Sequence, residues 1–354
     1  MSTHRTKFMP TSNGFGYPLT RSSMRLSRLM ASAAAMFLLG CAGRPTQTAP
    51  RAEIAAHPRE GHLQVEGGRI WYARMGDGPA TPLIVVHGGP GVGSFYLKPF
   101  AALGDERPVI RYDQLGAGKA DHPTDTAVFT LERAVRELQS LRDSLGLTEV
   151  HLYGHSWGAM LVQAYMGTRP AGVRSVILSS PLVTTAQWAS DADSLKTTLP
   201  DSIQATIARH EAAGTTDAPA YQAAAAEYYA RYLRRKPRRS PADADSTSRM
   251  MGKLVYEYMW GPSEFRATGT LKNFDATAWL RELRVPTLFI AGEHDEATPA
   301  STARFARLVP GAEFVMVPDA AHMTENDNPE FLLRTVRDFL RRVDPKPDGR
   351  AQRN

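Results

Sequence analysis

The chain has 354 residues, enough for one large α/β domain carrying an insertion or for two domains. Hydrophobic residues make up 42% and charged residues 22%, a balance that builds a buried core and excludes a disordered chain. The formal net charge of +6 comes largely from residues 1–40, which hold Arg5, Lys7, Arg21, Arg25 and Arg28 and no acid; beyond them 37 basic residues face 36 acidic ones, so nucleic acid loses its support as a partner.

Arg25 and Arg28 precede the apolar and small stretch LMASAAAMFLLG at residues 29–40. It is too short to span a bilayer and has the charged-then-apolar order of an export signal. It ends at Cys41, the only cysteine of the chain. This resembles the bacterial lipoprotein signal, in which the cysteine becomes the lipidated first residue of the mature protein. The alternative is an ordinary secretory signal with an incidental cysteine. We therefore expect a signal peptide over residues 1–40, with Met24 a more usual start than Met1. Cys41 is then the lipid anchor, and the protein is held on a membrane of the bacterial cell envelope. A lone cysteine excludes an internal disulfide. Residues 41–60, rich in Pro, Ala and charge, read as a tether.

Residues 63–65 and 69–73 flank Glu66-Gly67-Gly68, a hairpin signal. LIVV at 83–86 and residues 109–112 read as strands. Residues 130–145 place Leu131, Ala134, Val135, Leu138, Leu141 and Leu145 on one helical stripe. A strand over 149–153, a helix after Ser156 and a strand over 173–178 follow. Continuous apolar strands between amphipathic helices imply a mostly parallel sheet with helices on both faces. That rhythm stops at Pro181. Residues 182–275 are polar and alanine-rich helix formers with aromatics at Tyr228, Tyr229, Tyr232, Tyr256, Tyr258 and Trp260. Strands resume at 286–290 and 313–317, and a helix over 329–343 closes the domain. The expected organisation is a core over 61–181 and 276–343, an inserted helical cap over 182–275, and a polar tail over 344–354.

GHSWG at 154–158 sits between a strand and a helix. A serine at such a turn is held in a strained conformation with its hydroxyl above the end of the sheet, and the flanking glycines let strand and helix approach. This is the nucleophile elbow of the α/β-hydrolase fold. A serine hydroxyl needs a base, and the base needs an orienting carboxylate, in the chain order Ser, acid, His. Asp295 and His322 fall just beyond the strands at 286–290 and 313–317, where that topology requires them. Glu293 and Glu296 compete with Asp295, which triad geometry favours. His294 reads as a turn residue, and His151 and His155 as support for the elbow. The tetrahedral intermediate needs two backbone N–H donors. Trp157, after the nucleophile, and Gly89, in the HGGPG loop after LIVV, are the expected oxyanion hole.

HGGPG at 87–91, YDQLGAG at 112–118, GHSWG at 154–158, MWGPSEF at 259–265, TGTLKNFD at 268–275 and GEHDEATP at 292–299 resemble the proline iminopeptidase family, in its order and over residues 60–343. The resemblance implies a serine aminopeptidase that releases an N-terminal residue, proline or another small or apolar one, from short peptides. It implies Ser156, Asp295 and His322 as the triad, and Glu264 as the group that binds the free α-ammonium of the substrate. Charge pairing from a cap is a physical way to count from an amino terminus. Gly261-Pro262-Ser263-Glu264 also suits a helix start. The family's usual Gly-Gly-Ser elbow is Gly-His-Ser here, and Lys119-Ala120 replaces Arg-Ser. The second cap carboxylate of the family is sought near Tyr228-Tyr229-Ala230-Arg231-Tyr232, where Glu227 lies one turn away. The basic run Arg231, Arg234, Arg235, Lys236, Arg238 and Arg239 reads as a solvated cap surface.

An esterase or amidase without a free-amine requirement is the alternative activity. A non-catalytic binding scaffold is opposed by the intact Ser, Asp, His and HGGPG set, and dehalogenase or epoxide hydrolase chemistry normally needs an aspartate at position 156. No metal or other cofactor is expected, since the histidines are scattered and no metal-binding spacing occurs.

Overall fold

No side chain of Leu83–Val86, Val150–His155 or Thr287–Gly292 is exposed. Strands buried on both faces belong in the middle of a sheet covered by helices on each side. In the computed structural model, which describes residues 59–237 and 250–344, that is where they lie. Cys41, the expected signal and the tether up to residue 58 are outside the described residues, as are Arg238, Arg239 and residues 345–354.

Among the described residues the strands are β1 (Glu60–Val65), β2 (Gly68–Met75), β3 (Leu83–Val86), β4 (Val109–Asp113), β5 (Val150–His155), β6 (Val173–Ser179), β7 (Thr287–Gly292) and β8 (Glu313–Val317). They form one sheet in the order β1-β2-β4-β3-β5-β6-β7-β8. The β1–β2 hairpin is antiparallel and β2 pairs antiparallel with β4; every later pair is parallel. Alternate residues supply the two faces. Ile84, Val86, Leu152 and Phe289 pack with α1 (Leu131–Ser144) and α2 (Trp157–Gly167). Leu83, Val85, Tyr153 and Ile290 pack on the other side with the 3-10 helix Phe95–Leu103 and the closing helix. Local signals set the helix ends. Thr130 caps α1 by accepting from the Arg133 amide, and Asn328 caps the closing helix ahead of Pro329.

The insertion between β6 and β7 holds α3 (Thr185–Lys196), α4 (Asp201–Ala213), α5 (Pro219–Tyr232) and α6 (Lys253–Met259), and α7 (Thr277–Glu282) leads back to the sheet. An antiparallel bridge between Thr184 and Asp275 closes its neck. The aromatics that the sequence groups together divide here. Tyr221, Tyr228 and Phe265 pack with Ile207 in a core of the cap's own, whereas Trp188, Tyr256 and Trp260 join the main core. The remaining helices are α8 (Pro299–Ala306), α9 (Thr324–Asp327) and α10 (Pro329–Val343). The sequence reading did not include α8, α9 or the 3-10 helix, which are short and lack an amphipathic stripe of their own length.

Asp344, read from the sequence as the start of a polar tail, is instead pinned at the amino-terminal ends of β4 and β5. It accepts from Arg107 Nη2 at 2.7 Å and pairs with His151 Nε2 at 2.9 Å. His151 is thus a structural residue at the far end of β5. Among the described residues no helix is long and apolar enough to cross a membrane.

Candidate active site

Ser156 sits between β5 and α2 with φ 56° and ψ −121°, a region that non-glycine residues rarely occupy. The flanking glycines are a contact requirement. A Cβ on Gly154 would lie 2.4 Å from the Gly158 carbonyl oxygen, and one on Gly158 would lie 2.2 Å from that of Val86. The strained serine therefore stands at the carboxyl end of β5 with its side chain at the wall of a cavity of about 890 Å³.

His322 lines the same cavity. Its Nδ1 lies 2.8 Å from Asp295 Oδ1, and both residues are buried. Asp295 is itself fixed, with the Ala297 amide donating to Oδ1 at 2.8 Å and the Gly292 amide to Oδ2 at 3.1 Å. Glu293 points away and accepts from the Asp319 amide at 3.0 Å, and His294 lies beside it at the surface. Of the three neighbouring carboxylates, Asp295 is the one hydrogen-bonded to the imidazole.

The HGGPG loop is tied on two sides. His87 accepts from the Gln114 amide through Nε2 at 3.1 Å and contacts the Gly88 carbonyl through Nδ1 at 2.8 Å; burial lowers its pKa, so it is the neutral ring. Gln114 Oε1 accepts from the Trp157 indole at 2.8 Å, which joins YDQLGAG to the elbow. The Gly88 amide donates to Tyr96 Oη at 2.7 Å. Gly88 is thereby occupied, and Gly89, whose φ of 119° only glycine adopts readily, borders both Ser156 and the cavity. Trp157 opens α2, so its amide is one of the donors without an intrahelical acceptor.

The cap supplies Glu264. It lies in a turn after α6, closed by a Ser263–Arg266 bridge, rather than at a helix start. Its backbone is clamped: the Trp188 indole donates to its carbonyl at 2.8 Å, and its amide donates to Tyr229 Oη at 3.3 Å. Burial raises the pKa of its carboxyl, opposed by the positive charge of His322 and by a hydrogen bond from Tyr256. Glu227, sought as a second cap carboxylate, is exposed on α5 and does not line the cavity. The second carboxyl near His322 is Glu296, which, like Glu227, does not line the cavity. It is buried, and its Oε1 lies 4.0 Å from His322 Nδ1. Burial pushes its pKa well up, while His322 opposes and Glu264 and Asp295 reinforce the rise. The sequence reading weighed Glu296 only as a rival to Asp295; its position directly after the acid was the available signal. Burial works against a charged His322, but Asp295, Glu296 and Glu264 outweigh it and raise its pKa to about 9.

Beside Ser156, Trp157, Leu182, Trp188, Trp260 and Leu271 form an apolar recess that also touches Glu264. The cap is joined to the base loop through backbone bonds. The His322 and Glu296 amides both donate to the Tyr232 carbonyl, at 3.0 and 3.3 Å, and the Met323 amide donates to Leu233. Asp327 accepts from the amides of Arg235, Lys236 and Ala321 at 2.9–3.0 Å. The start of the basic run is thus partly a joint: Arg231 donates to the Thr198 carbonyl, and Arg234 lines the cavity. Among the described residues no group of three His, Cys, Asp or Glu is placed to hold a metal ion.

The profile of the alpha/beta hydrolase fold matches residues 81–329. A proline iminopeptidase of Heyndrickxia coagulans is 41% identical over 285 residues, covering 80% of this chain and 99% of the relative. The crystal structure of a proline iminopeptidase from Mycobacterium smegmatis superposes with a TM-score of 0.74 at 34% identity, covering 80% of this chain and 98% of its own. That of VinJ superposes with a TM-score of 0.76 at 32% identity, with the same coverage.

Proposed function

This chain belongs to the proline iminopeptidase family of α/β-hydrolases and is a serine aminopeptidase-like hydrolase; from that premise we propose that it releases proline, or another small apolar residue, from the amino terminus of short peptides. The observation that carries this reading is Glu264, a half-buried carboxyl from the cap that lines the same cavity as Ser156 and His322.

Burial raises the pKa of both Glu264 and Glu296, while the positive charge of His322 opposes the rise. A substrate ammonium in the cavity would pair with Glu264, which lines it. With the ammonium there and the scissile carbonyl at Ser156, the side chain of the first residue is directed to the apolar recess of Trp157, Trp188 and Trp260. At about 10 Å³ the recess is narrow, which restricts that side chain to a small one. A blocked amine would bring no charge to Glu264 and, on proline, no N–H either.

The proposed chemistry is acyl transfer. Ser156 Oγ attacks the carbonyl carbon as His322 takes its proton, and Asp295 holds Nδ1 so that Nε2 faces the serine. The amides of Gly89 and Trp157 receive the developing oxyanion. His322 then gives its proton to the departing amine, and water repeats the sequence on the acyl-enzyme. Export and a lipid anchor at Cys41 complete the proposal and rest on the signal pattern of residues 25–41 alone. The test of the activity is a panel of aminoacyl-arylamides, their N-acetylated counterparts and simple esters, on protein lacking residues 1–41. Fast turnover of prolyl-arylamide and loss on N-acetylation are expected; equal rates for blocked and free substrates would favour an esterase or amidase instead.

A further inference from the structure

His155 occupies the elbow position where the related family usually carries glycine, and its side chain is fully enclosed. Its ring joins two loops that meet only in the folded protein. Nδ1 lies 2.8 Å from Tyr96 Oη, and Nε2 lies 3.0 Å from the carbonyl oxygen of His322. The bonds have one consistent direction. A carbonyl only accepts, so Nε2 carries the proton of the neutral ring and Nδ1 accepts from the Tyr96 hydroxyl. The Tyr96 oxygen in turn accepts from the Gly88 amide at 2.7 Å. Glu325 closes the outer side, with Oε2 3.7 Å from His155 Nε2 and Oε1 accepting from Tyr153 at 2.6 Å.

We propose that His155 is a positioning residue that holds the oxyanion loop and the base loop in register: through Tyr96 it sets the Gly88–Gly89 backbone, and through the His322 carbonyl it sets the imidazole beside Ser156. The packing is tight enough for such control. A Cβ built on Gly88 would lie 3.0 Å from Ser156 Cβ and 3.1 Å from His155 Nδ1, so the loop rests directly on the ring. The His322 carbonyl also accepts from Ser180 Oγ at 3.1 Å and from the Thr324 amide at 3.0 Å, so His155 is one of three donors on that oxygen and the one that also reaches the oxyanion loop. Burial lowers the His155 pKa and keeps the ring neutral, as the relay requires. Misplacing a donor by a fraction of an ångström affects the tetrahedral state more than the bound substrate, so the loss belongs in kcat.

The role presupposes acyl transfer at Ser156, so wild-type turnover of prolyl-arylamide and of a simple ester is measured first; absence of both would reject the hydrolase reading itself. Given turnover, Tyr96→Phe and His155→Ala should each lower kcat by about 10–100-fold. KM should stay within about twofold, and the double variant should fall no further than the worse single variant. His155→Asn retains an acceptor near Nδ1 for Tyr96 but does not reach the His322 carbonyl, and should lie between wild type and Ala. The affinity of prolinal, an aldehyde that adds to Ser156 as a tetrahedral hemiacetal, should weaken in step with kcat/KM, while inhibition by free proline stays constant. A residue that only fills space would not produce that split. Should His155→Ala fail to fold, Tyr96→Phe carries the same test, with its melting temperature as control. Losses that multiply in the double variant, kcat within twofold of wild type, or equal weakening of prolinal and proline would each overturn the assignment.

Discussion

Glu296 Oε1 stands 4.0 Å from Nδ1 of His322, on the imidazole nitrogen that also contacts Asp295 at 2.8 Å. One nitrogen therefore faces two carboxyls from successive residues, and the second is not needed to orient it. Its charge instead adds to the stabilisation that lifts the His322 pKa to about 9. A base must be neutral to accept a proton, so activity rises with pH as the imidazolium deprotonates. Removing an anion weakens the imidazolium and lowers its pKa. Glu296→Gln should accordingly move the acid limb of kcat/KM to lower pH, measured on an ester that has no amine of its own. A limb that stays in place or moves upward would show that Glu296 does not act on His322.

Glu264→Gln keeps size and hydrogen bonding but deletes charge. Truncating one partner of a buried charge pair costs about 2 kcal/mol or more, roughly thirtyfold in affinity. We expect KM for free-amine substrates to rise by about that factor while simple esters change little. N-acetylation should then penalise the variant less than the wild type. Equal effects on esters and peptides would make Glu264 a structural residue of the cap.

Ser156→Ala removes the nucleophile at a small, strained position and should abolish turnover, by at least about a thousandfold, without lowering the melting temperature. His322→Ala should cost a similar factor, and the pair should cost no more than either alone. Steady-state rates on one arylamide suffice, and a fully active Ser156→Ala would refute the proposed chemistry.

Asp327 ties α9 to the end of the cap through the amides of Arg235 and Lys236, and to the loop before His322 through that of Ala321. Asp327→Ala leaves those donors without their acceptor and should destabilise the protein by about 2–4 kcal/mol, read by urea unfolding. Because Ala321 precedes the base, kcat should fall as well, even at temperatures where the variant is folded. A variant of wild-type stability would show that water replaces the carboxylate at all three amides.

Cys41→Ser should release the protein from membranes, since a thioether at Cys41 is the expected anchor. Fractionation of cells expressing the full chain checks this, with an N-terminal mass to show whether the signal was removed. Unchanged membrane association of a correctly processed Cys41→Ser protein would reject the anchor.

What the sequence determined by itself is local. Leu83–Val86 reads as a buried strand because a strand covered on both faces is continuously apolar, and residues 149–153 read as a strand from their place before the elbow although His151 interrupts the apolar run. Ser156 stood out because a strand-to-helix reversal leaves room only for glycine at 154 and 158. Asp295 and His322 were legible as candidates because each follows such a strand. The tertiary structure alone decided what converges on them. Glu296 follows Asp295 in a turn, where successive side chains diverge without a fixed period, so no spacing says that it faces His322 while Glu293 faces Asp319. Glu227 was the nearest acid to the helix where the family's second carboxylate is sought, but α5 turns it to solvent. Tyr96 and His155 are 59 residues apart and meet because the 3-10 helix after HGGPG packs against β5. Periodicity reports what the backbone does to its neighbours; a site built across loops depends on long-range packing, which leaves no periodic trace in the chain.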